Sequence, residues 1–376
     1  MSTQLYPEVK DGTTLGALFA QVPYLLIGVE GKGASTGTAA IKTPIKISRP
    51  IEADTNFGAG SSLANLVKFI LGRGVPSLVA VASLMPSDSS SPTLQQRKDA
   101  WQSLEDDRTI RIRLTDSTTQ SDHVELSNSA ENAELINNKQ VAFSGLAQGS
   151  TKSTLTAAAV AIASKRGVLV GPGIYDENGT LLSGNYAAAA VAAEVSKNPD
   201  IADDLDTLLL PGFTGIEHDA NGIPIFRVKS NYGTPVNDFE DMLQAGVSPL
   251  RQGKNGGVEI THLRMTYDVD DTFDALMTRL IVDQVFIDVR DYCEDNKFLR
   301  RGNTVETRGD LAAGVSAILF ERRNWINQIV QPDGKLGYNV AVTSSPDERQ
   351  VIVSYSGRVV RGIQTILVDA KLQISV

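Results

Sequence analysis

Apolar residues recur along this chain with two periods, and the switches between them set the expected architecture. Residues 23–28 form a short apolar run of strand composition, and Gly28, Gly31, Gly33 and Gly37 mark a loop before a second strand at residues 44–48. Leu63, Leu66, Val67, Ile70 and Leu71 then repeat at the spacing of one helical face, with Ser61 or Ser62 at the N-cap and Gly72 and Gly74 at the close. Residues 75–84 read as an apolar strand and 86–92 as a polar excursion over the surface. Ile110, Ile112 and Leu114 alternate with Arg111 and Arg113, which predicts a half-exposed strand. An Ala-rich helix over 151–165, a strand at 167–171 and a helix over 186–196 follow in the order of α/β layering.

Beyond about residue 246 the texture changes. A strand at 258–265 precedes a helix over 272–292, whose stripe is Phe273, Leu276, Met277, Leu280, Ile281, Val285, Val289 and Tyr292. A second long helix over 310–330 carries Leu311, Val315, Ile318, Leu319, Trp325, Ile326, Ile329 and Val330. Strands are expected at 338–342 and 351–355. The last stretch alternates strictly, Val368, Ala370, Leu372, Ile374 and Val376 against polar neighbours, with Ile366 extending the apolar set. A strand of that pattern needs a sheet to join. Residues 1–10, with Pro7, Leu5 and Val9, read as an extended arm ending at the Asp11-Gly12 turn.

Composition narrows the function. The 376 residues suffice for about two to three domains with real cores. Thirty-five Lys+Arg against 44 Asp+Glu give a net charge of −9, which offers no general attraction to phosphate backbones or anionic lipid, so no nucleic acid is expected. No apolar run approaches the roughly 18 residues of a membrane span, and residues 1–19 lack a signal-peptide pattern, so no direct membrane insertion is expected and assembly belongs in a cytoplasm-like compartment. The single cysteine, Cys293, excludes an intrachain disulfide and reads as a core filler. His123, His218 and His262 are too scattered for a zinc site.

Catalytic motifs fall short one by one. Gly28-Val29-Glu30-Gly31-Lys32-Gly33 has Gly33 where a phosphate loop needs Ser or Thr, and it lacks the third glycine of a dinucleotide fingerprint. Gly60-Ser61-Ser62-Leu63-Ala64 nearly matches a nucleophile elbow centred on Ser62, but a helix cap explains it and no histidine is tied to it. The acidic run 268–271 lacks the glycine and terminal glutamate of a calcium loop, and Asp203, Asp204 and Asp206 read as a solvated face. No cofactor or metal is expected. The enzyme alternative is a nucleotide-binding α/β protein or hydrolase using the Gly28 loop or Ser62.

The order of the pieces is more telling. The strand at 22–29, the Gly-rich loop, the strand at 44–48, Ile51-Glu52-Ala53 and the run from Phe57 through Ala64 resemble the opening of contractile tail sheath proteins of bacteriophages and R-type bacteriocins. Residues 167–173 with the Ala-rich helix, Asn237-Asp238, Gly246-Val247-Ser248-Pro249-Leu250, and Ser345-Pro346-Asp347-Glu348-Arg349 running into the alternating strand are similar to that family's order. The resemblance implies an α+β, tail-sheath-like fold: an N-terminal arm at 1–20, an outer α/β domain at 21–250 with a surface excursion near 85–139, an inner tube-proximal domain at 251–360, and a C-terminal strand arm at 361–376.

It also implies a non-enzymatic subunit that polymerises with itself, as hexameric rings or a helix, around an inner tail tube protein, and contracts to drive that tube through a bacterial envelope. Baseplate and tail terminator proteins are the further partners, and the product is a virion tail or bacteriocin particle assembled in the host bacterial cytoplasm. Inter-subunit strand arms would use Leu5, Val9, Ile366, Val368, Ala370, Leu372, Ile374 and Val376, and Arg322 and Arg323 would face the tube. Residues 366–376 span about 36 Å at roughly 3.3 Å per residue. Burying the arm's apolar side chains contributes on the order of 10 kcal/mol. Ordering its backbone costs about 10 to 20 kcal/mol, so one arm alone gains little and free subunits are expected to stay monomeric until several contacts are templated together.

Overall fold

Two units of different construction divide the chain: Pro23–Pro199 with Asp203–Leu276, and Met1–Val22 with Asp200–Ala202 and Met277–Val376. The computed structural model describes residues 24–198, 201, 205, 208–231, 234–253, 256–267, 275–322, 338–344, 350–357 and 370–375.

The larger unit opens with β1 (Leu26–Lys32), β2 (Ile45–Ile47), α1 (Pro50–Phe57), α2 (Ser62–Gly72) and β3 (Leu78–Leu84). Then come α3 (Leu94–Glu105), β4 (Ile110–Thr115), α4 (Gln120–Leu135), β5 (Val141–Ser144), α5 (Lys152–Ile162) and β6 (Gly167–Gly171). After β7 (Ile174–Asp176) and β8 (Leu181–Leu182) follow α6 (Gly184–Lys197), β9 (Leu209–Leu210), β10 (Phe213–Ile216), β11 (Val228–Asn231) and β12 (Thr234–Asn237). The unit closes with α7 (Asp238–Gln244), β13 (Val247–Gln252) and β14 (Val258–Ile260).

A nine-stranded sheet runs β2-β3-β1-β4-β5-β6-β13-β14-β9, parallel from β3 through β13 and antiparallel at both margins. From β1 the chain goes to β3 on one side and then returns past β1 to β4, β5 and β6 on the other. The order reverses between β1 and β4, and in open α/β sheets that reversal opens a crevice at the carboxyl ends of the strands. Helices cover the sheet, so its strands are buried almost without alternation, as parallel sheets require.

That burial corrects two expectations. The stretch near 85–139 is no surface excursion beyond its first residues, because α3, β4 and α4 are built from it and β4 sits between β1 and β5. Nor is β4 half-exposed: all six of its residues are buried, Arg111 and Arg113 included. Arg113 Nη1 donates to Ser129 Oγ, and burial pushes its guanidinium down to about 10 against the opposing pull of Glu105. The domain boundary moves as well, from 250/251 to Leu276/Met277, since β13 pairs with β6 (Val247 with Leu169, Pro249 with Gly171) and β14 with β13.

The smaller unit holds α8 (Leu276–Asp295), a 3₁₀ turn at Phe298–Arg300, α9 (Val305–Glu321), β15 (Tyr338–Ser344), β16 (Gln350–Gly357) and β17 (Ala370–Ser375). Leu276, Met277, Leu280, Ile281, Val285 and Val289 are buried as the stripe predicts, and Cys293 with them; Phe273 lies outside the described residues. α9 begins five residues before the expected start because Thr304 caps it, accepting from the Thr307 amide. Trp325, Ile326, Ile329 and Val330 lie outside the described residues. Gly314 lets the Tyr292 ring of α8 lie against α9: a Cβ there would fall 2.1 Å from Tyr292 Cζ. β15, β16 and β17 form a three-stranded antiparallel sheet in that order.

Candidate functional site

The crevice position between β1 and β4 is where the enzyme alternative would have to reside, and it is filled by the chain's own side chains. Glu30, at the carboxyl end of β1, is fully buried and meets Arg97 of α3, whose Nη1 lies 2.8 Å and 2.9 Å from its two carboxylate oxygens. The same Nη1 donates to Asp116 Oδ1 at 2.8 Å, and Arg97 Nε is 3.1 Å from Asp122 Oδ2. Thr115 donates to Glu30 at 2.7 Å, the Lys32 amide to Asp116 at 2.7 Å, and Ser117 to Asp122 at 2.5 Å. One guanidinium thus gathers three carboxylates. Burial pushes Glu30 up to about 7 against the pull of Arg97, with Asp116 adding to the rise. Burial opposes the charge of Arg97, yet Glu30, Asp116 and Asp122 outweigh it and hold that pKa above its usual value.

Ser62 stands at the rim of this knot. Its hydroxyl is hydrogen bonded to Asp116 and directed at the Lys32 carbonyl at 3.1 Å. A nucleophile needs a base to take its proton, and the partners here are an already engaged carboxylate and a backbone oxygen. Ser61 is the helix cap, accepting from the Ala64 amide at 3.2 Å. The glycines of the β1 loop serve close packing: a Cβ on Gly31 would lie 2.8 Å from the Asp116 side chain, and one on Gly37 would lie 2.4 Å from the Asn56 carbonyl. His123 is buried, its Nε2 3.0 Å from the Ser117 carbonyl.

A second concavity, of about 500 Å³, lies beside the start of α5, lined by Thr151, Lys152, Glu217, His218, Arg227 and Asp238. Its charges are mutually engaged, Lys152 with Asp238 at 3.1 Å and Asp241 at 2.7 Å, and Glu217 with the Gly149 amide at 2.6 Å. No group of His, Cys, Asp and Glu able to hold a metal ion is found among the described residues.

The residues expected to join subunits lie in the smaller unit. β16 is the middle strand there: it pairs with β15 from Tyr338↔Gly357 to Ser344↔Val351, and with β17 from Gln350↔Ser375 to Tyr355↔Ala370. Leu372 is opposite Val353 and Ile374 opposite Val351, so the alternating apolar set is in register with the buried set of β16. In this single chain the terminal strand therefore pairs with its own molecule. Leu5, Val9, Ile366, Val368 and Val376 lie outside the described residues.

Arg322 differs from the solvated charge that was expected. It is buried, and its guanidinium holds Asp288 of α8 with Nε and Nη2 each 2.7 Å from Oδ2, so any outward contact would first have to break that pair. Arg323 lies outside the described residues. Nearby, burial and then the Asp283 and Asp288 carboxylates hold the Tyr355 phenol well above its usual pKa. Burial also pushes the Cys293 thiol up to about 12, as its filler role predicts.

No protein-family model matches this sequence, and no curated protein matches it. Solved structures do. A sheath tail protein from Desulfitobacterium hafniense superposes with a TM-score of 0.69 at 12% identity, over 94% of this chain and 98% of that one. A sheath tail protein from Listeria innocua gives 0.68 at 10% identity, over 93% and 96%. The helical sheath of the anti-feeding prophage, in its contracted state, gives 0.67 at 10% identity, over 98% and 99%. The chain has the fold of tail sheath proteins across nearly its whole length.

Proposed function

We propose that this chain is the subunit of a contractile tail sheath, polymerising with itself around an inner tube in an extended state and contracting to drive the tube through a bacterial envelope. The supporting observation is the extent of the fold match: both units are included, and one neighbour is a sheath in its assembled, contracted form. The closed polar knot at the sheet's switch point agrees with a structural role, since the place where an α/β enzyme would seat a ligand is held by Arg97 and its carboxylates.

In this reading the N-terminal arm and residues 366–376 link neighbouring subunits by strand addition, and Arg323 is the charge left for the tube once Arg322 is committed to Asp288. Baseplate and terminator proteins bound the polymer, and assembly takes place in the bacterial cytoplasm. No helix of the described residues is long and apolar enough to cross a membrane. The chain co-produced with its inner tube protein should form regular hollow sheaths in negative-stain micrographs. Persistently monomeric protein in the presence of assembled tubes would refute the proposal.

A further inference from the structure

β16 is the strand on which the smaller sheet depends. Val351, Val353 and Tyr355 are buried at 8%, 0% and 4% exposure, and the strand is paired on both sides. Stripped of β17, it would present a row of unpaired backbone groups beside an apolar register, the kind of edge that pairs with whatever strand comes near. The chain's own tail covers that edge over Gln350–Tyr355.

The connection is much longer than such a pairing needs. Antiparallel neighbours are joined by hairpin loops of about two to five residues. Here β16 ends at Gly357 and β17 begins at Ala370, about a dozen residues later, a length that reaches roughly 40 Å when extended. The tail can therefore leave its own β16 and reach elsewhere without disturbing the strands on either side of the connection.

We propose that β17 is a latch: in the free subunit it covers β16 of its own chain, and assembly requires its release so that the same edge receives the terminal strand of a second copy in the same register. The identity of the acceptor as a neighbouring sheath subunit rests on the reading above; the latch itself does not. Both occupants have the same sequence, so the edge cannot tell them apart by contacts. What separates them is concentration. A tethered strand presents itself at an effective millimolar level, and a free neighbour in dilute solution cannot compete. Held side by side on a template, subunits face each other at comparable effective concentration, and exchange costs no net pairing because every strand given up is replaced. The latch thus keeps dilute chains apart without a chaperone and without weakening the joint that forms later.

Ser354 and Lys371 are directly opposite one another, and facing antiparallel positions are close enough for a disulfide. The native thiol will not interfere, because Cys293 is 3% exposed. The full chain carrying Ser354→Cys with Lys371→Cys is oxidised at micromolar concentration. Most of it is expected to form an intrachain cross-link, seen as a monomer of shifted mobility on a non-reducing gel and confirmed by mass spectrometry. Oxidised, it should polymerise with its tube protein at least tenfold less than when reduced, and reductant should restore wild-type polymer. Failure to cross-link within the dilute chain, or equal polymerisation of the locked and reduced forms, overturns the latch. Sheaths assembled from two chains, one carrying Ser354→Cys and the other Lys371→Cys, should yield cross-linked dimers on oxidation; intact sheaths without them overturn the exchange. If the reduced and wild-type chains never polymerise, the sheath reading fails, and the cross-link in the dilute chain still decides whether the tail covers β16.

Discussion

In the nine-stranded sheet the central strands are parallel, buried on both faces, and tied at their carboxyl ends by Arg97 to Glu30, Asp116 and Asp122. The three-stranded sheet is antiparallel, its β15 alternates between half-buried and exposed residues, and its last strand ends a long connection. One sheet invests its polar chemistry in holding itself shut. The other leaves its strands on pairings that a second copy could reproduce. Stability and assembly are thus assigned to different regions, which makes the contrast open to experiment.

The largest expected effect separates the two outright. Deleting residues 368–376 should abolish sheaths in electron micrographs while leaving a folded monomer whose main thermal transition moves by less than about 2 °C; normal sheaths from that truncation would break the distinction. Next, Arg97→Ala strands three buried carboxylates without their cation, and removing one partner of a buried pair costs about 3 to 5 kcal/mol. Calorimetry should show the transition of the larger unit falling by about 10 °C. A negligible shift would mean that the knot is not holding the sheet.

A smaller and more selective effect concerns pH. The folded pKa of Glu30, raised to about 7 from 4.5, means that the folded state binds its proton more tightly. Its contribution is therefore fully present below pH 4.5 and is lost as pH rises to about 7. Glu30→Gln should remove that slope, so the variant gains on the wild type by up to about 3 kcal/mol between those limits in denaturant titrations. A pH-independent difference would show that Arg97 keeps Glu30 ionised throughout. The smallest effect is at the helix cap. Ser61→Ala should cost about 1 kcal/mol, a few degrees in Tm, with no change in sheath formation.

How far the sequence led follows the same division. α2 was legible down to its Ser61 cap because its buried face is written in large apolar residues at helical spacing. β15 and β16 were legible within a few residues because their patterns have clean boundaries. α4 was not: it buries Asp122, His123, Ser127, Ser129, Ala130 and Ala133, small and polar groups that read as surface. α3 buries Arg97, Ala100, Trp101 and Leu104 at true helical spacing, but the pattern emerges only if an arginine is allowed inside. β4 failed for the same reason, its arginines being drawn in by partners on helices that sequence does not place.

The Glu30–Arg97–Asp116 knot was invisible altogether, since its members are brought together by sheet order and no motif spacing connects them. The buried Arg322 belongs to that class too, because only the packing of α9 against α8 supplies Asp288. The fold match recovers what periodicity could not, at 10% to 12% identity, because it compares layers and strand order in place of residues.

The pairing of β16 with β17 is fixed to the residue, Val351 to Ile374 and Val353 to Leu372, whereas the length of chain leading to it is generous. Those two tolerances differ sharply. Lengthening or shortening the tether by one position would change only its slack, but a single residue inserted within Ala370–Ser375 would turn the apolar set to the wrong side at every site beyond it. The fastening works like a key on a cord: the cord can be cut to many lengths, and the teeth cannot move by one.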